Sequence, residues 1–128
     1  MTNMGKPGKT GLVRIFYALI YSINGLRAAF KHEAAVRQES ILIGIGVLVA
    51  LFLPVTLVEK LLLIFSLSLV LIVELVNSAI EAVVDRISTV QHELSGRAKD
   101  IGSAAVFISL TLATLVWGSI LVNLFFQL

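Results

Sequence analysis

A polar stripe runs along the otherwise apolar segment IVELVNSAIEAVVDR, residues 72–86. The members of the stripe are Glu74, Asn77, Ser78, Glu81 and Asp85. On a helix with about 100° per residue, these side chains fall within roughly 100° of one another and form one face. A charged side chain at the centre of a membrane helix costs about 2.5–3.5 kcal/mol. The stripe therefore indicates a functional site that binds a cation or moves a proton.

The two glutamates of the stripe are suited to different tasks. Glu74 and Glu81 lie two turns apart, about 10.5 Å along the helix, so they cannot both bind one metal ion. Mg²⁺ is usually held by one or two protein carboxylates plus substrate phosphates, so Glu81 would need a second carboxylate from elsewhere. The candidates are Glu33 and Glu39, although Glu33 is equally consistent with an ion pair to Arg37. Glu74, which lies deeper in the apolar segment, is suited to accepting a proton.

Helix packing is the alternative explanation of the stripe. Asn77 and Ser78 are suited to hydrogen bonds between membrane helices. Two carboxylates fit that role poorly, because they repel each other in a buried contact. The small residues Ala98, Gly102 and Ala105 indicate that the next apolar segment packs closely against its neighbours.

Positive charge lies in the polar segment that follows the stripe, DRISTVQHELSGRAKD, which contains His92, Arg97 and Lys99. Phosphoryl transfer requires cations beside the phosphate oxygens as charge develops on them. Together, the stripe and this segment suggest transfer of a phosphoryl group from a nucleotide to a lipid hydroxyl. The preference for positive charge on the cytoplasmic side of a membrane would also produce a basic loop. For Arg97, this explanation is as consistent with the sequence as a role in phosphoryl transfer.

Membrane helices would position these groups. Of the 128 residues, 58% are hydrophobic, whereas soluble domains have about 45–50% apolar residues. Three apolar stretches, 36–58, 61–85 and 100–126, are long enough to cross about 30 Å of hydrocarbon. Pro54 is expected to end the first of them. The sequence therefore predicts an all-α membrane protein that forms a single domain over residues 1–128.

Residues 12–31 have a different pattern, which predicts an amphipathic surface helix. Apolar residues recur every three or four positions at Leu12, Phe16, Leu19, Ile23, Leu26 and Phe30. The opposite face carries Arg14, Tyr21, Asn24 and Lys31. Basic and aromatic residues at the edges of an apolar face are typical of a helix that lies in the membrane interface.

The positive charges predict the orientation in the membrane. Those that precede the first span are Lys6, Lys9, Arg14, Arg27, Lys31 and Arg37. The 86–100 segment adds three more, whereas the first turn has only Lys60 and nothing basic follows the third span. The N-terminus and the 86–100 loop are therefore expected on the cytoplasmic side. A net charge of +2 without a polybasic run predicts no nucleic-acid partner, and the lack of cysteine excludes disulfides and thiolate metal sites.

Three motifs, EAAVRQE, ELVNSAIEAVVDR and HELSGRAKDIGSAAV, resemble those of the prokaryotic integral-membrane diacylglycerol kinases. The resemblance runs from Arg14 to the third span without insertions. It implies a kinase that uses ATP and Mg²⁺ to make phosphatidic acid from diacylglycerol. It also implies a homotrimer in the bacterial inner membrane, with three spans and a surface helix per chain and an active site between subunits.

The resemblance further implies roles for individual residues. The catalytic residues would be Glu74, Asn77 and Lys99, with Glu74 as the general base for the lipid hydroxyl. Glu33 and Glu81 would hold the metal. The nucleotide would be bound by Arg14, Tyr21, Glu33, Glu81, His92, Lys99 and Asp100. The lipid substrate would be bordered by Arg14, Gln38, Glu39, Glu74 and Ser103. Asp85 would lie near the nucleotide.

Other activities fit parts of the pattern. Undecaprenol kinases, a sister branch of the same family, share the stripe, and the choice of acceptor rests on a few lipid-facing positions. The sequence differs from the best-known branch of the family at Val90, Gln91 and Ile23. These differences bear on fine contacts with the nucleotide and on the fit of the lipid. A small proton-coupled exporter would also carry a membrane-embedded Glu, but it would need neither the cationic loop nor a carboxylate before the first span. A purely structural helix bundle would tolerate the loss of Glu74.

Overall fold

The computed structural model describes residues 10–87 and 90–127, in which the regular elements are four helices. These helices are α1 Gly11–His32, α2 Ala34–Phe52, α3 Leu57–Ile87 and α4 Glu93–Phe126. The last three are long and apolar enough to cross a membrane. An all-helical fold with three candidate spans is therefore confirmed. Lys6 and Lys9 lie outside the described residues.

The first two helices are separated by one residue, and the second ends at a proline. Glu33 adopts an extended conformation, with φ −115° and ψ 111°, between His32 of α1 and Ala34 of α2. α2 ends at Phe52, before residue 58, which composition alone predicts as the end of the first span. The residue that precedes a proline is driven out of the helical region, and Leu53 before Pro54 is extended accordingly, with φ −69° and ψ 141°.

The turn between α2 and α3 is fixed by reciprocal capping. The Glu59 amide donates to Thr56 Oγ1 at 3.1 Å, and the Thr56 amide donates to Glu59 Oε1 at 3.1 Å. This is the capping box that Thr-x-x-Glu forms at a helix N-terminus. Lys60 Nζ also donates to the Leu51 carbonyl at 2.8 Å, near the end of α2. The turn is therefore held from both helices.

Helix covers most of the polar 86–100 segment, which the sequence analysis treated as a loop. α3 continues to Ile87 and α4 begins at Glu93. His92 is the N-cap of α4, and its Nδ1 accepts a hydrogen bond from the Leu94 amide at 3.0 Å. Arg97 and Glu93 form an i,i+4 pair at 3.4 Å that supports the first turns of α4. The expectation of a long loop is therefore wrong for the described part of this segment.

α3 is the central helix of the chain, because it packs against both α2 and α4, whereas α1 has few contacts with α2. A small core is formed by Ala50, Leu63 and Ile120. Beside it, Trp117 Nε1 of α4 donates to the Leu63 carbonyl of α3 at 3.2 Å. Many large apolar side chains of the three long helices are exposed in the single chain. Such surface is suited to contact with lipid or with another protein surface.

Candidate functional site

The polar stripe of α3 grades from buried to exposed along the helix. Glu74 and Asn77 are each 7% exposed, and Ser78 is also buried. Glu81 is half-buried, and Asp85 at the far end is exposed. The stripe thus leads from a carboxylate inside the helix bundle to one that water can reach, which is the order that the sequence analysis predicted.

Four carboxylates from three elements lie on the stripe or beside it. Glu74 interacts electrostatically with Glu81, with Glu33 at the α1–α2 joint, and with Glu39 of α2. Glu39 Oε2 is buried and accepts no hydrogen bond from the described residues. The ion pairs found among residues 10–87 and 90–127 include none of these four groups. Negative charge held together in this way favours a bound cation or proton.

Asn77 connects the stripe to α4. Its Nδ2 donates to Glu81 Oε1 at 3.2 Å, one turn further along α3. Its Oδ1 is buried without a hydrogen-bond donor in the described chain. A Cβ atom at Gly102 of α4 would fall on this oxygen, so the absence of a side chain there lets Asn77 lie against α4. Gly102 is one of the small residues singled out in the sequence.

A hollow of about 520 Å³ lies between the end of α3 and the start of α4. It brings together Asp85, His92 and Lys99, which the sequence analysis placed at the nucleotide end of the site. Lys99 Nζ lies 2.7 Å from Asp85 Oδ1. Because Nδ1 of His92 caps α4, its other ring nitrogen is the one that can face a ligand. The hollow therefore offers one ammonium group and a ring nitrogen, beside the carboxylates of Asp85 and Glu93, at the exposed end of the stripe.

A second hollow, of about 630 Å³, separates α1 from α3. Its wall is largely apolar and includes Leu26 and Leu75. Its polar groups include Glu33 and the stripe residue Ser78. An apolar hollow with a few polar groups at one side is suited to an amphipathic ligand.

Several predicted site residues lie away from the stripe within one chain. Arg14 borders a shallow hollow that is lined by α1 residues alone, and Tyr21 lies beside Tyr17 with a ring separation of 6.3 Å. Gln38 is exposed on α2. Asp100 and Ser103 are exposed on α4 and line none of the hollows described above.

The sequence allowed an ion pair between Glu33 and Arg37. The two side chains do not form it in the structure. Arg37 instead donates to the carbonyls of Phe30 and Lys31. An i,i+4 spacing brings side chains together only within one helix. Glu33 is extended and lies outside α2, so its side chain does not follow that geometry.

The acidic stripe lies on the central one of three helices that are long and apolar enough to cross a membrane, and a hollow lined by charged and polar side chains lies at its exposed end. These features are those of a small multi-pass membrane protein with a charged site between its helices. Residues 20–121 match the family model described as prokaryotic diacylglycerol kinase. The chain belongs to this family, which confirms the resemblance carried by the three motifs and the prediction of an enzyme of the lipid-kinase class.

Relatives from several bacteria support the assignment. The chain is 55% identical to the diacylglycerol kinase of Escherichia coli (strain K12) over 108 residues, which cover 84% of this chain and 88% of that protein. It is 52% identical to the diacylglycerol kinase of Haemophilus influenzae over 112 residues, or 88% and 95% of the two chains. It is 41% identical to that of Helicobacter pylori (strain ATCC 700392 / 26695) over 121 residues, or 94% of each chain.

Proposed function

We propose that this protein transfers the γ-phosphate of ATP to the hydroxyl of diacylglycerol, giving phosphatidic acid and ADP. The observation that carries the proposal is the graded stripe of α3. It joins a buried carboxylate, Glu74, to an exposed hollow that contains Lys99 and His92. A lipid hydroxyl approaches from the membrane and a nucleotide approaches from water, so a site for both substrates has to cross this boundary.

Glu74 is the proposed general base. The hydroxyl oxygen of diacylglycerol forms a bond to the γ-phosphorus, and the bond from this phosphorus to the β,γ-bridging oxygen breaks as ADP leaves. The hydroxyl proton passes to the Glu74 carboxylate and from there to water. Asn77, one turn along α3, supports the transferring phosphate, and Lys99 stabilises the charge on its oxygens.

The residues present fit a hard divalent cation, Mg²⁺. Glu81 provides a carboxylate on the stripe and Glu33 provides another at the edge of the hollow that Ser78 also lines, and no basic side chain forms an ion pair with either of them in the described ranges. Mg²⁺ usually takes one or two protein carboxylates and fills its other positions with water and phosphate oxygens, so two carboxylates are enough for this role. The described residues contain no cluster of three or more His, Asp or Glu side chains that could hold a metal by itself. When bound, Mg²⁺ supplies positive charge to the phosphate oxygens.

The nucleotide is proposed to bind in the hollow between α3 and α4. The residues assigned to it are Arg14, Tyr21, Glu33, Glu81, His92, Lys99 and Asp100, with Asp85 orienting Lys99. Arg14 and Tyr21 lie on α1, away from this hollow in their own chain. A second copy of the chain could supply them, and the exposed apolar side chains of α2, α3 and α4 provide surface for such contacts. We therefore include a homotrimer with shared sites in the proposal.

The lipid is proposed to enter through the hollow between α1 and α3, whose apolar wall suits acyl chains. Gln38, Glu39 and Ser103 would border its head group, with Arg14 at the membrane surface. α1 would lie in the interface with its apolar face in the lipid. The distribution of Lys and Arg supports placement in the bacterial inner membrane with the N-terminus in the cytoplasm.

Transfer assays with two acceptors test the proposal. The purified chain in lipid or detergent is given radiolabelled ATP, Mg²⁺ and either diacylglycerol or undecaprenol, with Glu74→Gln as the control. We expect label in phosphatidic acid, because the relatives that match most of the chain are named diacylglycerol kinases. Preferential labelling of undecaprenol would instead place the chain in the sister branch. A proton flux driven by a substrate without ATP would favour an exporter.

A further inference from the structure

The joint between α1 and α2 leaves the last backbone carbonyls of α1 without their helical donors. In a continuous helix, the carbonyls of Phe30 and Lys31 would accept from the amides of Ala34 and Ala35. Glu33 is extended, so the chain turns away before those amides can reach them. Carbonyls at a helix C-terminus have to be satisfied by another group.

Arg37 supplies that group from the start of α2. Its Nη1 donates to the Phe30 carbonyl at 2.9 Å and to the Lys31 carbonyl at 2.9 Å. A cation at this position also interacts favourably with the C-terminal end of the α1 dipole. The Arg37 amide donates to the Glu33 carbonyl at 3.2 Å. One residue therefore bonds to both sides of the joint, with its side chain on α1 and its backbone on the linking residue.

Glu33, the residue at the joint, faces the candidate site. It borders the hollow between α1 and α3 together with Ser78 of the polar stripe. The Arg37 guanidinium is bonded to carbonyl oxygens, so the Glu33 carboxylate is not neutralised by it. The angle at which α1 leaves α2 decides where this carboxylate lies relative to α3.

We infer that Arg37 is a positioning residue, which holds the α1–α2 joint so that the Glu33 carboxylate is presented to the metal. This inference rests on the proposed role of Glu33 in binding Mg²⁺. Groups that orient a metal ligand without touching the metal typically change its affinity by about 10–100-fold when they are removed. A cap that served only the stability of α1 would leave that affinity unchanged in the folded protein.

The test measures metal binding apart from turnover. Mn²⁺ replaces Mg²⁺ in the presence of ADP, and bound Mn²⁺ is followed through the paramagnetic resonance signal of the free ion. The variants are Arg37→Met, which removes the donors, and Arg37→Lys, which keeps a cation able to reach both carbonyls. Arg27→Met is the matched control, because it removes the same charge from an exposed position on α1. Circular dichroism reports whether each variant is folded.

We expect Arg37→Met to raise the Kd for Mn²⁺ about tenfold, within the range for orienting groups. We also expect a higher KM for Mg²⁺ and little change in kcat at saturating metal. Arg37→Lys should recover most of the affinity, and Arg27→Met should bind Mn²⁺ like the unmodified protein. If Arg37→Met does not fold, Arg37→Gln, whose shorter neutral side chain cannot bond to both carbonyls, takes its place: a raised Kd for Mn²⁺ supports the inference, and an unchanged Kd overturns it.

Three outcomes separate this inference from the proposed function. If Glu33→Gln weakens Mn²⁺ binding but folded Arg37→Met does not, Arg37 is a structural cap and the inference is overturned. If Glu33→Gln binds Mn²⁺ like the unmodified protein, the metal role proposed for Glu33 is wrong, and the inference that depends on it is overturned too. Equal weakening by Arg37→Met and Arg27→Met would show a general effect of charge and would overturn the inference alone.

Discussion

Asp85 near the end of α3 and Lys99 near the start of α4 form an ion pair, with 2.7 Å between Oδ1 and Nζ. Their side chains are 62% and 43% exposed, respectively. Ion pairs this open to water contribute about 0–1 kcal/mol to stability. The pair lies at the edge of the hollow that also contains His92. Its main consequence is therefore the placement of an ammonium group where a phosphate is proposed to bind.

Removal of this pair should affect nucleotide use more than folding. In Asp85→Asn, Lys99 loses the carboxylate that orients it, so we expect a higher KM for ATP and a nearly unchanged unfolding temperature. Lys99→Met should lower kcat by about 10²–10³-fold, as expected when one donor to a developing charge is lost. Steady-state kinetics with varied ATP and thermal unfolding in detergent measure these effects.

Arg97→Gln is the matched control for the ion pair. It breaks the other exposed pair of α4, in which Arg97 Nη2 and Glu93 Oε1 are 3.4 Å apart. Arg97 does not line the hollow. We expect its KM for ATP to stay unchanged. If Asp85→Asn and Arg97→Gln had the same effect, the orientation of Lys99 would not explain the result.

Glu74→Gln should abolish turnover while the fold is kept. The amide has nearly the same shape as the carboxylate but cannot accept the hydroxyl proton, and general-base catalysis typically contributes about 10²–10⁴-fold in rate. The measurement is labelled phosphatidic acid formed per minute, with circular dichroism and size-exclusion chromatography of the same sample. Ser66→Ala, another buried polar position on α3, is the control and should retain activity. Normal turnover of Glu74→Gln would refute the assigned base.

The site on α3 could be predicted from sequence because its geometry is local. The spacing of Glu74, Asn77 and Glu81 fixes their common face once the segment is helical. A backbone in lipid has to satisfy its hydrogen bonds internally, which leaves little choice but helix. The burial of Glu74 and the exposure of Asp85 then follow from the direction of the chain through the membrane.

Contacts that depend on where a helix stops could not be predicted in the same way. The charged sequence between Arg86 and Asp100 is typical of a loop, because polarity alone does not distinguish an exposed helix from a turn. The His92 cap that starts α4 is a local hydrogen bond that this pattern does not reveal. The spacing rule that allows an ion pair between Glu33 and Arg37 assumes a continuous helix, and the break at Glu33 invalidates the rule. The proposed sharing of a site between subunits depends on contacts between chains, which local periodicity does not contain.

Trp117→Phe should lower stability modestly without changing the chemistry. Trp117 Nε1 donates to the Leu63 carbonyl, and the ring packs beside the small core. Phenylalanine removes the donor, but Ser66 Oγ still donates to the same carbonyl at 2.8 Å, so no acceptor is left unsatisfied. We expect a loss of about 0.5–1.5 kcal/mol in the free energy of unfolding, the usual value for one hydrogen bond.

Denaturant unfolding in mixed micelles, followed by circular dichroism, measures this loss. Turnover at saturating substrates should stay within about twofold of the unmodified protein. Trp117 contacts Leu63 near the start of α3, whereas the polar stripe lies toward the end of that helix. The lost hydrogen bond contributes only about 1 kcal/mol. A loss of more than about 3 kcal/mol would show that the indole has a packing role that phenylalanine cannot fill.

Gly102→Ala should reduce activity more than it reduces stability. The new Cβ would meet Asn77 Oδ1, so Asn77 has to move and its 3.2 Å bond to Glu81 is lost. Overpacking typically costs about 1–3 kcal/mol of stability. Moving the end of a flexible side chain costs less free energy than moving the backbone. Gly118→Ala is the control on the same helix, since a Cβ there meets no described atom within 4 Å. We expect transfer to diacylglycerol to fall in Gly102→Ala to the level of Asn77→Ala, while Gly118→Ala stays active. Full activity in Gly102→Ala would mean that Asn77 acts without its present contact with α4.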